Sequence, residues 1–179
     1  MTLVNAKSTY NLSDIQKRLG IEQHRLIHLC EKGVIIPDLE DSAGRGTMRR
    51  FSERNLFEFA VALELRRFLL PLTYIAPVIR MLGAFETYAA RELDVFSLPS
   101  SLQEKSAVKL RLLIGNGEKL FFLLKCGRSD VYLGGIDLES LSSGKKTSLS
   151  GMRKSGEDPR STFISFLEVD LNKIAIGLT

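Results

Sequence analysis

Cysteine and histidine are scarce in this chain, with two of each among 179 residues. Cys30 and Cys126 cannot make the several bridges of a small secreted scaffold. There is no Cys-x-x-Cys, and His24 and His28 are the only imidazoles, so no dedicated zinc site is expected. Long apolar runs are also missing. The longest, such as Phe68-Leu69-Leu70-Pro71-Leu72, fall far below the ~20 residues that a membrane span needs. Met1 to Tyr10 lacks the apolar stretch of a signal peptide. The expectation is a cytoplasmic protein with reduced thiols and no membrane partner.

The common enzyme motifs are absent too. The sequence has no Gly-x-Ser-x-Gly, no Walker loop and no His-Glu-x-x-His. Asp137/Glu139 and Glu157/Asp158 are carboxylate pairs in segments of weak periodicity, without a partner base. Gly115-Asn116-Gly117 reads as a turn rather than a phosphate loop, because no helical pattern follows it. A non-enzyme without cofactor or metal is expected.

What is present suits a folding chain: 44% hydrophobic and 26% charged residues, enough for one domain or two small ones. The net charge of +4 is spread unevenly. Residues 1–60 hold nine Lys+Arg against eight Asp+Glu, a net of +1, whereas residues 97–179 hold twelve against nine, a net of +3. Bulk charge therefore does not mark the N-terminal part as a nucleic-acid binder; only local placement of charge could.

Residues 10–35 read as helix, turn, helix. Asn11 or Ser13 can cap a first helix to about Leu19, with Ile15 and Leu19 on one face. Gly20 suits a left-handed turn, and a second helix from about Glu22 to Lys32 turns Leu26 and Leu29 inward before Gly33 stops it. The connection is short, as in the helix-turn-helix motif. Val34-Ile35-Ile36 and Thr47 to Phe51 read as two strands around a polar turn, a small hairpin bearing Arg45, Arg49 and Arg50. Ser52 caps a third helix to Phe68. Another opens at Thr73, with Pro77 able to kink or shorten it, and Gly83 to about Phe96 gives one more short helical stretch.

After residues 97–106 the apolar period changes from 3.6 to 2. Val108, Leu110, Leu112 and Ile114 alternate with Lys109 and Arg111, Asn116-Gly117 marks a hairpin, and Lys119 to Lys125 returns. Asp130 to Leu138 makes a third strand with a bend at Gly134-Gly135. Residues 140–162 read as a loop, Phe163 to Val169 as a fourth strand, and Asp170 as the cap of a final helical turn. The expected sheet is antiparallel, with three to four strands. The fold class is thus α+β: a helical domain over residues 1–96, a linker over 97–106 and a small antiparallel β domain over 107–179.

Tyr10-Asn11-Leu12-Ser13-Asp14-Ile15, Gly20-Ile21, Leu26 and Lys32-Gly33-Val34-Ile35 together resemble the winged helix-turn-helix of the MerR family of transcription regulators. Arg49-Arg50-Phe51-Ser52-Glu53-Arg54-Asn55-Leu56 is similar to that family's wing-to-helix junction, an Arg-x-Tyr-Ser-x-x-Asp-Leu run. Gly20 and Gly33 lie 13 apart, as in the family. The likeness covers a little under half of the chain. There are departures: Arg25-Leu26-Ile27-His28-Leu29 stands where the family has Thr-Leu-Arg-Tyr-Tyr, and after Leu82 only about a dozen residues can continue a helix, too few for the family's dimerisation coiled coil.

The resemblance implies a bacterial DNA-binding regulator, with recognition helix 22–32 in the major groove and wing 38–50 on the backbone or minor groove. It implies double-stranded DNA, a second copy of the chain, and RNA polymerase or a small-molecule effector as partners. Residue chemistry agrees. Gln23, His24, Arg25 and His28 face away from Leu26 and Leu29; Gln reads adenine edges and Arg reads guanine. Arg45, Arg49 and Arg50 suit phosphates or a narrow minor groove. Ser13 and the N–H groups beside it suit one more phosphate, and Lys17 extends the same positive face. A homodimer contact is expected at the Lys119–Lys125 hairpin edge or the Phe85–Leu93 helix. Two other readings are open: a protein-interaction module, or a phage-type excisionase or architectural protein, each on the same helix-turn-helix scaffold.

Overall fold

Asn11 starts the first helix by a reciprocal device. Its side chain accepts the Asp14 N–H at 3.0 Å, and the Asp14 carboxylate accepts the Asn11 N–H at 3.0 Å. The computed structural model describes residues 9–39, 49–93, 95–126, 129–143, 153–155 and 158–178. Helix α1 (Leu12–Leu19) ends at Gly20, whose φ of 63° is the left-handed turn expected there. Helix α2 (Gln23–Glu31) follows almost at once and is stopped at Gly33, with φ of 64°. Ile15, Leu26 and Leu29 are all buried in the core, so the pair is held by its apolar faces.

Of the expected hairpin, the first strand is not formed. Val34 and Ile35 are buried but are not a strand. Their N–H groups donate to the Leu29 carbonyl at 2.9 and 3.3 Å, finishing α2, and so are not available to a strand ladder. Phe51 pairs instead with Tyr10, in an isolated antiparallel bridge with hydrogen bonds of 2.8 and 2.9 Å. The whole of the expected turn, residues 41–46 with Arg45, and Thr47 and Met48 of the expected return strand lie outside the described residues.

Helix α3 (Glu53–Arg67) is capped by Ser52, whose hydroxyl accepts the Asn55 N–H at 3.3 Å. Leu56, Phe57, Phe59, Val61 and Leu65 are almost fully buried, so α3 is the central helix. Helix α4 (Leu72–Glu92) is one continuous helix where the sequence suggests two. Its buried stripe of Ile75, Val78, Leu82, Phe85 and Ala89 runs past Pro77 and Gly83, and this burial outweighs both breakers. Residues 97–106, expected as a linker, form a 3-10 turn at Ser100–Leu102, with Leu98 and Leu102 buried.

The sheet has five antiparallel strands rather than three or four, in the order β4-β3-β2-β1-β5. They are β1 (Val108–Gly115), β2 (Lys119–Cys126), β3 (Ser129–Asp137), β4 (Arg153–Ser155) and β5 (Phe166–Asp170). Asn116 and Gly117 take positive φ between β1 and β2, as the Asn-Gly pair predicts. The Gly134-Gly135 bend is a bulge: the β2–β3 register shifts there, and a Cβ on Gly134 would lie 2.4 Å from the Leu120 carbonyl oxygen. Strand β4 lies inside the segment that composition marks as a loop. Helix α5 (Leu138–Ser142) follows β3, and Asp170 caps α6 (Leu171–Ile176) by accepting the Lys173 N–H at 3.1 Å.

One hydrophobic cluster runs from Ile15 through α3 and α4 into the sheet and on to Leu178. Phe85 of α4 stacks on Phe122 of β2 with centroids 4.8 Å apart, and meets Phe96 edge-on at 5.9 Å. Asn172 of α6 is buried, and it knits this corner together. Its Oδ1 accepts the Leu110 N–H at 2.7 Å; its Nδ2 donates to the Val108 and Leu102 carbonyls at 2.9 and 3.2 Å. Of the two segments expected to make a dimer contact, β2 lies between β1 and β3 and is no edge, while the 85–93 stretch of α4 buries Phe85 and Ala89 in the core and leaves Thr87, Ala90 and Arg91 exposed. No helix among the described residues is long and apolar enough to cross a membrane.

Candidate nucleic-acid interface

On α2 the sequence pattern and the geometry agree residue by residue. Leu26 and Leu29 are buried, and Gln23, His24, Arg25 and His28 are exposed on the rest of the helix. Ile27 is half-buried. His24 Nδ1 lies 3.5 Å from a Glu22 carboxylate oxygen, with both side chains about three-quarters exposed (74% and 77%), a contact of little weight in water. Both histidines are surface groups, and among the described residues no three His, Cys, Asp or Glu side chains converge as a metal would require.

Ser13 and Lys17 are exposed on α1. The Tyr10–Phe51 bridge carries Arg50 to the start of this helix, where it lines a shallow depression with Thr9, Tyr10, Asn11 and Asp14. Arg50 and the first turn of α1 are therefore neighbours. Arg50 is exposed and Arg49 half-buried. The capping box occupies the Asp14 N–H, so a phosphate here would use the N–H groups of Leu12 and Ser13. The Asp14 carboxylate opposes an anion at that point, and the Arg50 charge offsets it. Arg18, a residue that the sequence spacing does not single out, donates to the Tyr10 hydroxyl at 2.9 Å and lies 5.7 Å from its ring centre.

Behind this surface runs a polar chain. Asp38 accepts from both the N–H and the hydroxyl of Ser52, while its own N–H donates to Asn55 Oδ1 at 2.9 Å. Asn55 Nδ2 donates to the Ile36 carbonyl at 3.1 Å and to Glu58 at 2.8 Å. Arg54 pairs with Glu58 at 2.9 Å and with Glu86 of α4, and Glu86 accepts the Leu98 N–H at 2.6 Å. Burial raises the Glu58 pKa above its ordinary 4.5, although the Arg54 charge and the hydrogen bonds from Asn55 and Arg54 pull it down. Sequence spacing does not reveal this network, because most of its partners are distant along the chain. The local signs are Glu58 four residues after Arg54, the spacing of a helical ion pair, and Asn55 three residues after Ser52.

No protein-family model matches the chain, and no curated protein sequence matches it.

Proposed function

We propose that the chain is a non-enzymatic, DNA-binding transcription regulator of the MerR type. In this reading α1 and α2 are a helix-turn-helix, and the segment between Asp38 and Phe51 is its wing. The observation that carries the reading is the division of α2: two leucines anchor it, and Gln23, His24, Arg25 and His28 stand exposed, the residue types that read base edges. Arg50 beside the first turn of α1 supports a phosphate contact at the neighbouring backbone. The C-terminal sheet would then dimerise, sense an effector or meet a partner such as RNA polymerase.

The reading is tested by selection from a randomised duplex library with the purified full chain. An enriched sequence, bound with an affinity that falls steeply as salt rises, is the expected outcome. Absence of enrichment sinks it. A second reading, a protein-interaction module, is favoured by the net of only +1 over residues 1–60 and by Ile27 in place of an arginine. Strong bending of DNA without an effect on transcription would point to an architectural protein.

A further inference from the structure

A cleft lies between the α1–α2 turn, α3 and α6. Its floor is apolar: Ala60 and Leu63 of α3, Ile174 of α6 and Ile21 of the turn. Ile21, Ala60 and Ile174 are only half-buried, so this floor keeps apolar surface in water. Its rim is cationic, with Arg18, Arg67 and Lys173 around it and Glu64 as the one acid in the lining. Glu64 is spoken for by Arg67 at 2.8 Å. Among the described residues Arg18 bonds only to the neutral Tyr10 hydroxyl and Lys173 is in no ion pair. Among the described residues, two positive charges are thus left without an acidic partner beside an apolar strip.

Ala60, Leu63, Glu64 and Arg67 follow one face of α3 at helical spacing, so the strip runs along the helix. The cleft is open to solvent. Small-molecule sites enclose about 70–90% of their ligand, whereas an open strip with charged borders suits a row of side chains. We propose that this cleft docks an amphipathic helix of a partner protein, with apolar anchors at i, i+3 and i+4 on the floor and carboxylates beside Arg18 and Lys173. Rim charges of this kind steer encounter and reject basic partners. The docked helix would touch the α1–α2 unit and the C-terminal helix together. The proposal does not depend on DNA binding.

The test is a display selection of random peptides of about 12 residues, a little over three helical turns, on the purified full chain. Enriched peptides are then measured by fluorescence anisotropy. The expected peptides carry Asp or Glu around apolar residues at i, i+3 and i+4. They bind Arg18→Glu/Lys173→Glu about tenfold or more weakly, and Ala60→Arg not at all. Both charge-reversed positions are exposed, so the variant should keep the wild-type circular dichroism and unfolding midpoint. If it does not fold, weaker peptide binding to the wild type at high salt is the supporting result, and salt-independent binding overturns the proposal. Enrichment without acidic residues, or equal binding by a folded charge-reversed chain, also overturns it. So does displacement of the peptide by octanoate, which would make the cleft a site for small acids, or by duplex DNA, which would make the rim part of a nucleic-acid surface.

Discussion

The carboxylate of Asp38 receives two hydrogen bonds from Ser52, fourteen residues further along the chain: one from the backbone N–H at 2.9 Å and one from the hydroxyl. Asn55 returns the contact by accepting the Asp38 N–H at 2.9 Å. The base of the segment that carries Arg49 and Arg50 is therefore clasped by side chains, where the sequence suggests paired strands.

Asp38→Ala leaves the N–H of buried Ser52 without its acceptor. The expected loss is about 1–3 kcal/mol of folding stability, read as a lower denaturant midpoint. If the segment works as a wing, DNA affinity falls too, and Asp38→Asn, which keeps one acceptor oxygen, loses less of both. An unchanged midpoint in Asp38→Ala would show that the clasp contributes nothing.

Arg49 and Arg50 act on phosphates in the proposed function. Arg49→Ala combined with Arg50→Ala should weaken binding to every duplex alike, and the slope of log K against log salt should shrink by about 0.9 for each phosphate no longer neutralised. Arg25→Ala should instead change the preferred sequence, by about 1–3 kcal/mol at one base pair. Full affinity in the double variant removes these arginines from the interface.

Glu58 gives stability a pH dependence of defined sign. Burial raises its pKa in the folded chain above 4.5, so the folded state holds this proton more tightly than the unfolded state. Stability from this group is complete below pH 4.5 and declines as pH climbs through the raised value. Glu58→Gln should flatten that decline in denaturant midpoints taken between about pH 4 and 7. A slope identical to the wild type would assign the dependence elsewhere.

Asn172→Ala removes three hydrogen bonds at once and strands the Leu110 N–H in the core. A loss of about 3 kcal/mol is expected, the upper end for a buried group left without its partner. A loss below about 1 kcal/mol, the net value of one ordinary hydrogen bond, would mean that water has entered the corner between β1 and α6.

Local signals are legible in the sequence because their physics is local. Asn11, Gly20 and Gly33 bound the first two helices through contacts within a few residues, and Asn116-Gly117 forms its turn from its own φ preferences. Spacing from Leu26 and Leu29 identifies which α2 side chains stand in solvent. Val34-Ile35 misleads because a β-branched pair looks the same whether its N–H groups face a strand or finish a helix. The continuity of α4 rests on Phe85 meeting Phe122, a contact across thirty-seven positions that no periodicity reports. The Arg54–Glu86 pair, 32 residues apart, is hidden for the same reason. The sequence marks Arg50 as a wing residue, but its place beside Asp14 follows from Tyr10 taking Phe51 as its partner.

Phe85 stacked on Phe122 makes α4 a common wall, with the α3 bundle on one side and the sheet on the other. Among the described residues no seam divides the helices from the sheet, so neither half is expected to melt alone. Heating should produce a single calorimetric peak, and a fragment cut after residue 96 should lose its helices along with the sheet. Whatever binds and tightens the sheet also suppresses fraying of α2, with no moving part needed between them.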